Sequence, residues 1–199
     1  MSIILGLTGS IGMGKSTTAR MFADRGLPVW DADAAVHRLY APGQPAALAV
    51  GALFPGVMDA DGSVSRPLLL ALIAQDPTVM DRLNAAVHPL VAIDRAAFIR
   101  AHPGADIIVV DVPLLFETGG DTACDYTVVV SAPFADQRAR VLARGMTEAE
   151  FQTILARQTP DAEKRGRADY VIETTSLDTA RAGVDDVLAD IRRQRTAHA

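Results

Sequence analysis

Five short runs of consecutive apolar residues recur along the chain, and each predicts a buried strand. They are Ile3–Thr8, Pro28–Trp30, Ile107–Asp111 (IIVVD), Tyr126–Val130 (YTVVV) and Tyr170–Ile172. Unbroken β-branched runs, rather than strict alternation with polar residues, suit parallel strands covered on both faces. Segments of helical character separate them. Lys15–Arg25 predicts a helix that Gly26 stops. In Leu177–Arg195 the apolar Val184, Val187, Leu188 and Ile191 recur at helical spacing. Strand–helix alternation of this kind predicts an α/β fold with a doubly wound, parallel, five-stranded sheet. The closing QRTAHA is expected to fray.

The alternation breaks in two places. Roughly seventy residues separate the second and third strands, far more than one crossover helix requires. Helical patterns over Ala34–Tyr40, Pro67–Ala74 and Thr78–Arg100, punctuated by PGQP and DADGS, predict an inserted helical lobe. After the fourth strand comes an arginine-rich stretch that Gly145 and Pro160 divide into short helices. The expected organisation is one domain. Its core lies at about 1–33, 105–135 and 168–199, with a helical substrate lobe at about 34–104 and a lid at about 136–167.

Composition narrows the function classes. The 199 residues are 49% hydrophobic and carry a formal charge of −5, which argues against a general nucleic-acid surface. Cys124 is the only cysteine, so no intramolecular disulfide and no cysteine-based zinc site is expected. No leader pattern opens the chain, and no run of apolar residues is long enough to span a membrane. The expectation is a cytoplasmic protein with no membrane contact and no obligate protein partner. Lys15 and Lys164 are the only lysines, so a lysine at Lys15 stands out from an arginine-biased background.

Lys15 lies within GLTGSIGMGKST. Gly9–Ser16 spells G-x-x-x-x-G-K-S between an apolar strand and a helix, the phosphate-binding loop pattern. Glycines let backbone N–H groups turn inward around a phosphate. Lys15 adds a point charge for the β- and γ-phosphates, the Ser16 hydroxyl suits Mg²⁺, and the following helix directs its positive end at the same anion. Gly9, Gly12, Met13, Gly14, Lys15, Ser16 and Thr17 are therefore the expected nucleotide-binding residues. A GTPase would show D-x-x-G after the third strand and N-K-x-D for guanine. Here the third strand runs into DVPLLFE, and N-K-x-D is missing. A small-molecule kinase with a substrate lobe and a closing lid fits better. The rivals are a kinase acting on a nucleoside or sugar and a nucleotide-dependent binding switch.

Further candidates follow from position. Extended alternation through DAD would put Asp31 and Asp33 on one side at the carboxyl end of the second strand, where doubly wound sheets bind ligands. Asp33 reads either as the base that accepts a hydroxyl proton or as the N-cap of the following helix. Asp31 reads as its support or as structure. Asp111 ends the third strand, either as a carboxylate for a Mg²⁺-bound water or substrate hydroxyls or as a turn residue. Arg140 and Arg144 share a helix face, either closing over the transferring phosphoryl group or facing solvent. His88, before Pro89 in the inserted lobe, reads as substrate-side or structural.

These pieces occur in an order that resembles the dephospho-coenzyme A kinase family. The matching stretches are GLTGSIGMGKST, DAD, DGSVSR, LNAAVHP, VVDVPLLFE, QRARVLAR, ARQ and ADYVI. They cover nearly the whole chain, and DVPLLFE with the His-Pro element is the most specific part. The resemblance implies a phosphate-loop kinase fold and ATP- and Mg²⁺-dependent phosphorylation of the ribose 3′-hydroxyl of dephospho-coenzyme A. It makes Asp33 the base, Lys15 the phosphate lysine, Arg140 and Arg144 the lid arginines, and Leu114, Leu115 and Phe116 a wall of the acceptor site. The chain departs from the pattern at Ser10 and Met13, where the family commonly has Gly and Ser. It departs again after ADYVI, where Glu173–Thr175 replaces a usual Asp-Asn pair.

Overall fold

A computed structural model describes residues 2–197, which fall into two compact units, 2–29 with 104–197, and Trp30–Pro103. The first unit carries β1 (Ile3–Thr8), β3 (Ile107–Asp111), β4 (Tyr126–Ser131) and β5 (Tyr170–Glu173). Strand β2 (Val29–Asp31), which spans the boundary at Val29, completes a five-stranded sheet in the order β2-β3-β1-β4-β5. Parallel pairing sets Leu5 beside Val109 and Tyr126, and Val130 beside Ile172. The order places β3 between β1 and β2, so the two earliest strands are not neighbours.

Helices α1 (Lys15–Ala23) and α9 (Leu177–Ala197) pack together over one face of this sheet. The core there joins Leu5, Leu7, Val109, Val128, Val130 and Ile172 of the strands to Phe22 of α1 and to Val184, Leu188 and Ile191 of α9. All five residues of β3 are buried, as its unbroken apolar pattern requires. The expected fraying of QRTAHA does not start at Gln194. Helix α9 continues to Ala197, and the Gln194 amide donates to Asp190 Oδ2 at 2.7 Å. His198 and Ala199 lie outside the described residues.

The second unit contains α2 (Ala32–Leu39), α3 (Pro45–Leu53), α4 (Arg66–Gln75) and α5 (Thr78–Arg100). Leu39, Val50, Phe54, Leu69, Leu83 and Val87 form its core. The Trp30 indole N–H donates to Asp94 at 2.7 Å, and Arg38 reaches the same carboxylate at 3.0 Å. Helix α3 is absent from the sequence expectation. PAALAVGAL is apolar on every side and shows no helical stripe, and Pro45 reads as a breaker, yet proline suits the first helical position.

The arginine-rich stretch of the first unit folds as α6 (Phe134–Ala143), α7 (Glu148–Leu155) and α8 (Asp161–Arg167). Gly145, at φ +89°, separates α6 from α7. Thr147 and Glu150 close a reciprocal cap on α7. Among the described residues, no helix is long and apolar enough to cross a membrane.

Candidate active site

Gly9–Thr17 covers the connection from β1 to α1 and the first residues of α1, and its backbone leaves a set of amide donors open. Gly12 and Gly14 sit at φ +77° and +92°, values at which a side chain is strained. The Met13 N–H is taken by the Ser10 carbonyl at 3.1 Å, and the Thr17 N–H by Gly14 at 3.1 Å. The N–H groups of Gly12, Gly14, Lys15 and Ser16 have no acceptor among the described residues. Four open donors at the N-terminus of α1 form an anion-binding nest. Gly9 lies against Val130 of β4, where a Cβ would come within 2.4 Å of its methyl.

Lys15 points from the loop to the end of β3, where its Nζ lies 2.5 Å from Asp111 Oδ1. Asp111 is 2% exposed. The pair fixes the ammonium beside the nest before any ligand arrives. The Ser16 hydroxyl is exposed and makes no hydrogen bond among the described residues, which leaves it available as a hard oxygen donor. No group of three or more acidic, His or Cys residues that could hold a metal occurs among them. The Ser16 hydroxyl alone is the kind of donor Mg²⁺ takes when it binds through one or two protein oxygens together with substrate phosphates.

Side chains from distant segments hold the outer edge of the loop. The Ile11 N–H donates to Gln158 Oε1 at 3.1 Å, and the Gln137 amide donates to the Ile11 carbonyl at 2.8 Å. Met13 turns inward and is 3% exposed, with its sulfur accepting the Ala132 N–H at 3.1 Å. Its carbonyl accepts the Thr174 hydroxyl at 2.7 Å. Gln137 and Gln158 stand within the QRARVLAR and ARQ stretches, but nothing in their local spacing singles them out.

The two arginines differ from each other. Arg140 is half-buried, and its guanidinium donates to the Thr174 carbonyl at 2.5 Å and to the Thr174 hydroxyl at 3.2 Å. Arg144 caps the C-terminus of α6 and is exposed, with no ion pair among the described residues. Both line a cavity of about 330 Å³ with Gly14, Thr17, Thr174 and Leu177. Of the neighbouring arginines, Arg138 pairs with Glu148, Arg165 with Glu173 and Arg167 with Asp121. Arg167 also lies 4.5 Å above the Phe116 ring. Leu115 and Phe116 are buried and Leu114 is exposed.

Glu117, the last residue of DVPLLFE, meets the only other lysine. Lys164 is fully buried and its Nζ approaches Glu117 Oε1 at 2.9 Å, while the Thr159 N–H donates to the same oxygen at 2.8 Å. Burial alone would raise the Glu117 carboxyl. The Lys164 ammonium and the backbone donors of Thr159 and Glu117 outweigh it and hold the group below its ordinary value.

Asp33 and His88 belong to the helical unit. The extended reading of DAD does not hold beyond Asp31, where the strand ends. The Asp31 carboxylate accepts the Ala34 N–H at 2.9 Å and caps α2. Asp33 therefore stands in the first turn of α2, exposed and with no polar partner among the described residues. The N-cap role considered for it falls to Asp31. His88 is exposed on α5, which runs on through Pro89.

A strand–loop–helix anion nest on a parallel sheet, with a lysine and arginines around it, defines a phosphate-loop kinase. The dephospho-CoA kinase family matches residues 3–179. The dephospho-CoA kinase of Jannaschia sp. strain CCS1 is 56% identical over 191 residues, covering 96% of this chain and 98% of the relative. That of Cereibacter sphaeroides is 57% identical over 194 residues, covering 97% and 98%. The crystal structure of TT1252 from Thermus thermophilus superposes with a TM-score of 0.83 at 34% identity, covering 95% of this chain and 97% of that one. The chain belongs to the dephospho-CoA kinase family, and its activity is the phosphorylation of dephospho-CoA, the last step of coenzyme A biosynthesis.

Proposed function

We propose that the loop of Gly9–Thr17 holds the triphosphate of ATP while the ribose 3′-hydroxyl of dephospho-coenzyme A attacks the γ-phosphorus. The open amide donors beside a lysine already set by Asp111 carry this reading. The transferred group exchanges its bond to the ADP oxygen for one to the 3′-oxygen, ADP leaves with the bonding pair, and the hydroxyl proton must find an acceptor. Asp33 is the proposed acceptor, and its solvent exposure leaves the carboxylate ready to orient a hydroxyl. Lys15 and Arg140 supply positive charge where negative charge moves during transfer, and Arg144 adds to it from the mouth of the cavity. That cavity is the proposed seat for the rest of the nucleotide.

Leu114, Leu115 and Phe116 form the proposed wall of the acceptor site, with Asp111 and His88 as further acceptor-side groups. Ser16 is the proposed protein ligand of Mg²⁺, which when bound would neutralise part of the phosphate charge. A cytoplasmic setting, where ATP is supplied, accords with this chemistry. Incubation with ATP, Mg²⁺ and a panel of acceptors tests the reading. Turnover on dephospho-coenzyme A, with the new phosphate on the 3′-oxygen, is expected. Preferred turnover on a nucleoside or sugar would overturn it.

A further inference from the structure

Thr174 is the first residue after β5, and it touches both halves of the nucleotide apparatus. Its side chain is buried, at 6% exposure. Its N–H donates to the Ser131 carbonyl at 2.8 Å, which fixes the backbone to the end of β4. Its hydroxyl has one proton and two carbonyls within reach, Met13 at 2.7 Å and Ser131 at 3.2 Å. The shorter contact takes the proton, so the hydroxyl ties down the phosphate loop. The same oxygen accepts Arg140 Nη1 at 3.2 Å, and the Thr174 carbonyl accepts Arg140 Nη2 at 2.5 Å. Arg140 Nη1 also lies 3.5 Å from the Gly12 carbonyl. The side chain packs on Gly14 as well, where an added Cβ would lie 3.3 Å from it.

We infer that Thr174 is a positioning residue for phosphoryl transfer, holding the Arg140 guanidinium in register with the loop through its hydroxyl. The inference rests on the reading of Arg140 given above. A guanidinium held only by flexible methylenes samples many orientations. One held by a hydroxyl and a carbonyl of a single fixed residue stands ready for the charge that develops on the transferred group. Threonine suits this position because one atom both donates to the loop and accepts from the arginine. Valine keeps the shape and loses both functions.

Turnover with ATP and dephospho-coenzyme A, read with thermal unfolding, separates a positioning role from a structural one. Thr174→Val is expected to lower kcat about tenfold, while Thr174→Ser, which keeps the hydroxyl, stays within about threefold of the parent. In an Arg140→Ala background, Thr174→Val is expected to change kcat less than about twofold, because the group it positions is gone. Thr174→Ala serves in place of the valine variant if that variant does not fold. A kcat loss of equal size with and without Arg140 would overturn the inference, as would parent-like turnover of Thr174→Val beside a slow Arg140→Ala. Parent-like turnover of Arg140→Ala would instead overturn the role given to Arg140, and the positioning role with it.

Discussion

The phosphate loop and the first turn of α2 offer charged groups in opposite ways. At the loop the two charges nearest the nest are held before substrate arrives, while Arg144 at the cavity mouth has no ion pair among the described residues. Lys15 rests on Asp111 and Arg140 on Thr174, and two glutamine amides hold Ile11. Asp33, in contrast, stands exposed and without a polar partner among the described residues. A group that stabilises a triphosphate gains from being fixed in advance, because its reorganisation is then complete before the reaction. A group that takes a proton from an incoming hydroxyl needs open lone pairs. The contrast teaches that substitutions at the loop should disturb structure and chemistry together, whereas substitution at Asp33 should disturb chemistry alone.

The largest expected effect is at Lys15. Lys15→Ala should lower kcat/KM by on the order of 10³-fold. It should also lower the melting temperature, because it strips the adjacent charge from a carboxylate that is 2% exposed. Adding Asp111→Asn should return much of the melting temperature and none of the turnover. Full activity in a folded Lys15→Ala variant would break the comparison at its firmer end.

Next in size is the Glu117–Lys164 pair, which anchors α8 to the segment after β3. Glu117→Gln leaves a fully buried ammonium without its counter-charge, at a cost of about 3 kcal/mol in a denaturant titration. The folded Glu117 carboxyl is depressed. Its contribution is therefore complete above the unfolded value of about 4.3 and is lost as pH falls from there through the lower folded value. The gap in stability between parent and variant should be constant near neutrality and shrink in acid below about pH 4.3. A gap that widened in acid would reverse the assignment.

The smallest effect separates the two carboxylates of DAD. Asp31→Ala should cost about 1 kcal/mol through the lost cap on α2, with kcat little changed. Thermal melts and turnover on the same sample check both parts.

Much of this arrangement is legible in the sequence. The bounds of β1, β3 and α5 are those expected from the apolar and helical patterns, Ile3–Thr8, Ile107–Asp111 and Thr78–Arg100. Gly9–Ser16 announces the nest because each residue type in it answers a local geometric demand. Legibility fails where the determining partner is remote. Gln137 and Gln158 act on Ile11 from 126 and 147 positions away, and no local spacing reports such a contact. Thr174 reads as a departure from the family pattern, and its hydrogen bonds to Met13 and Arg140 exist only once β4, β5 and α6 are assembled. The cap of α2 fell two residues earlier than Asp33 because an extended reading of DAD ignores that the Asp31 side chain can itself begin the helix.

Asp33→Asn tests the central claim most directly, with ATP affinity and kcat measured on one preparation. The substitution keeps shape and removes the charge that would accept the proton. The account predicts parent-like ATP binding and melting temperature, with kcat lower by on the order of 10²-fold. Parent-like turnover would contradict it, and Asp33 would then be only a first-turn residue of α2.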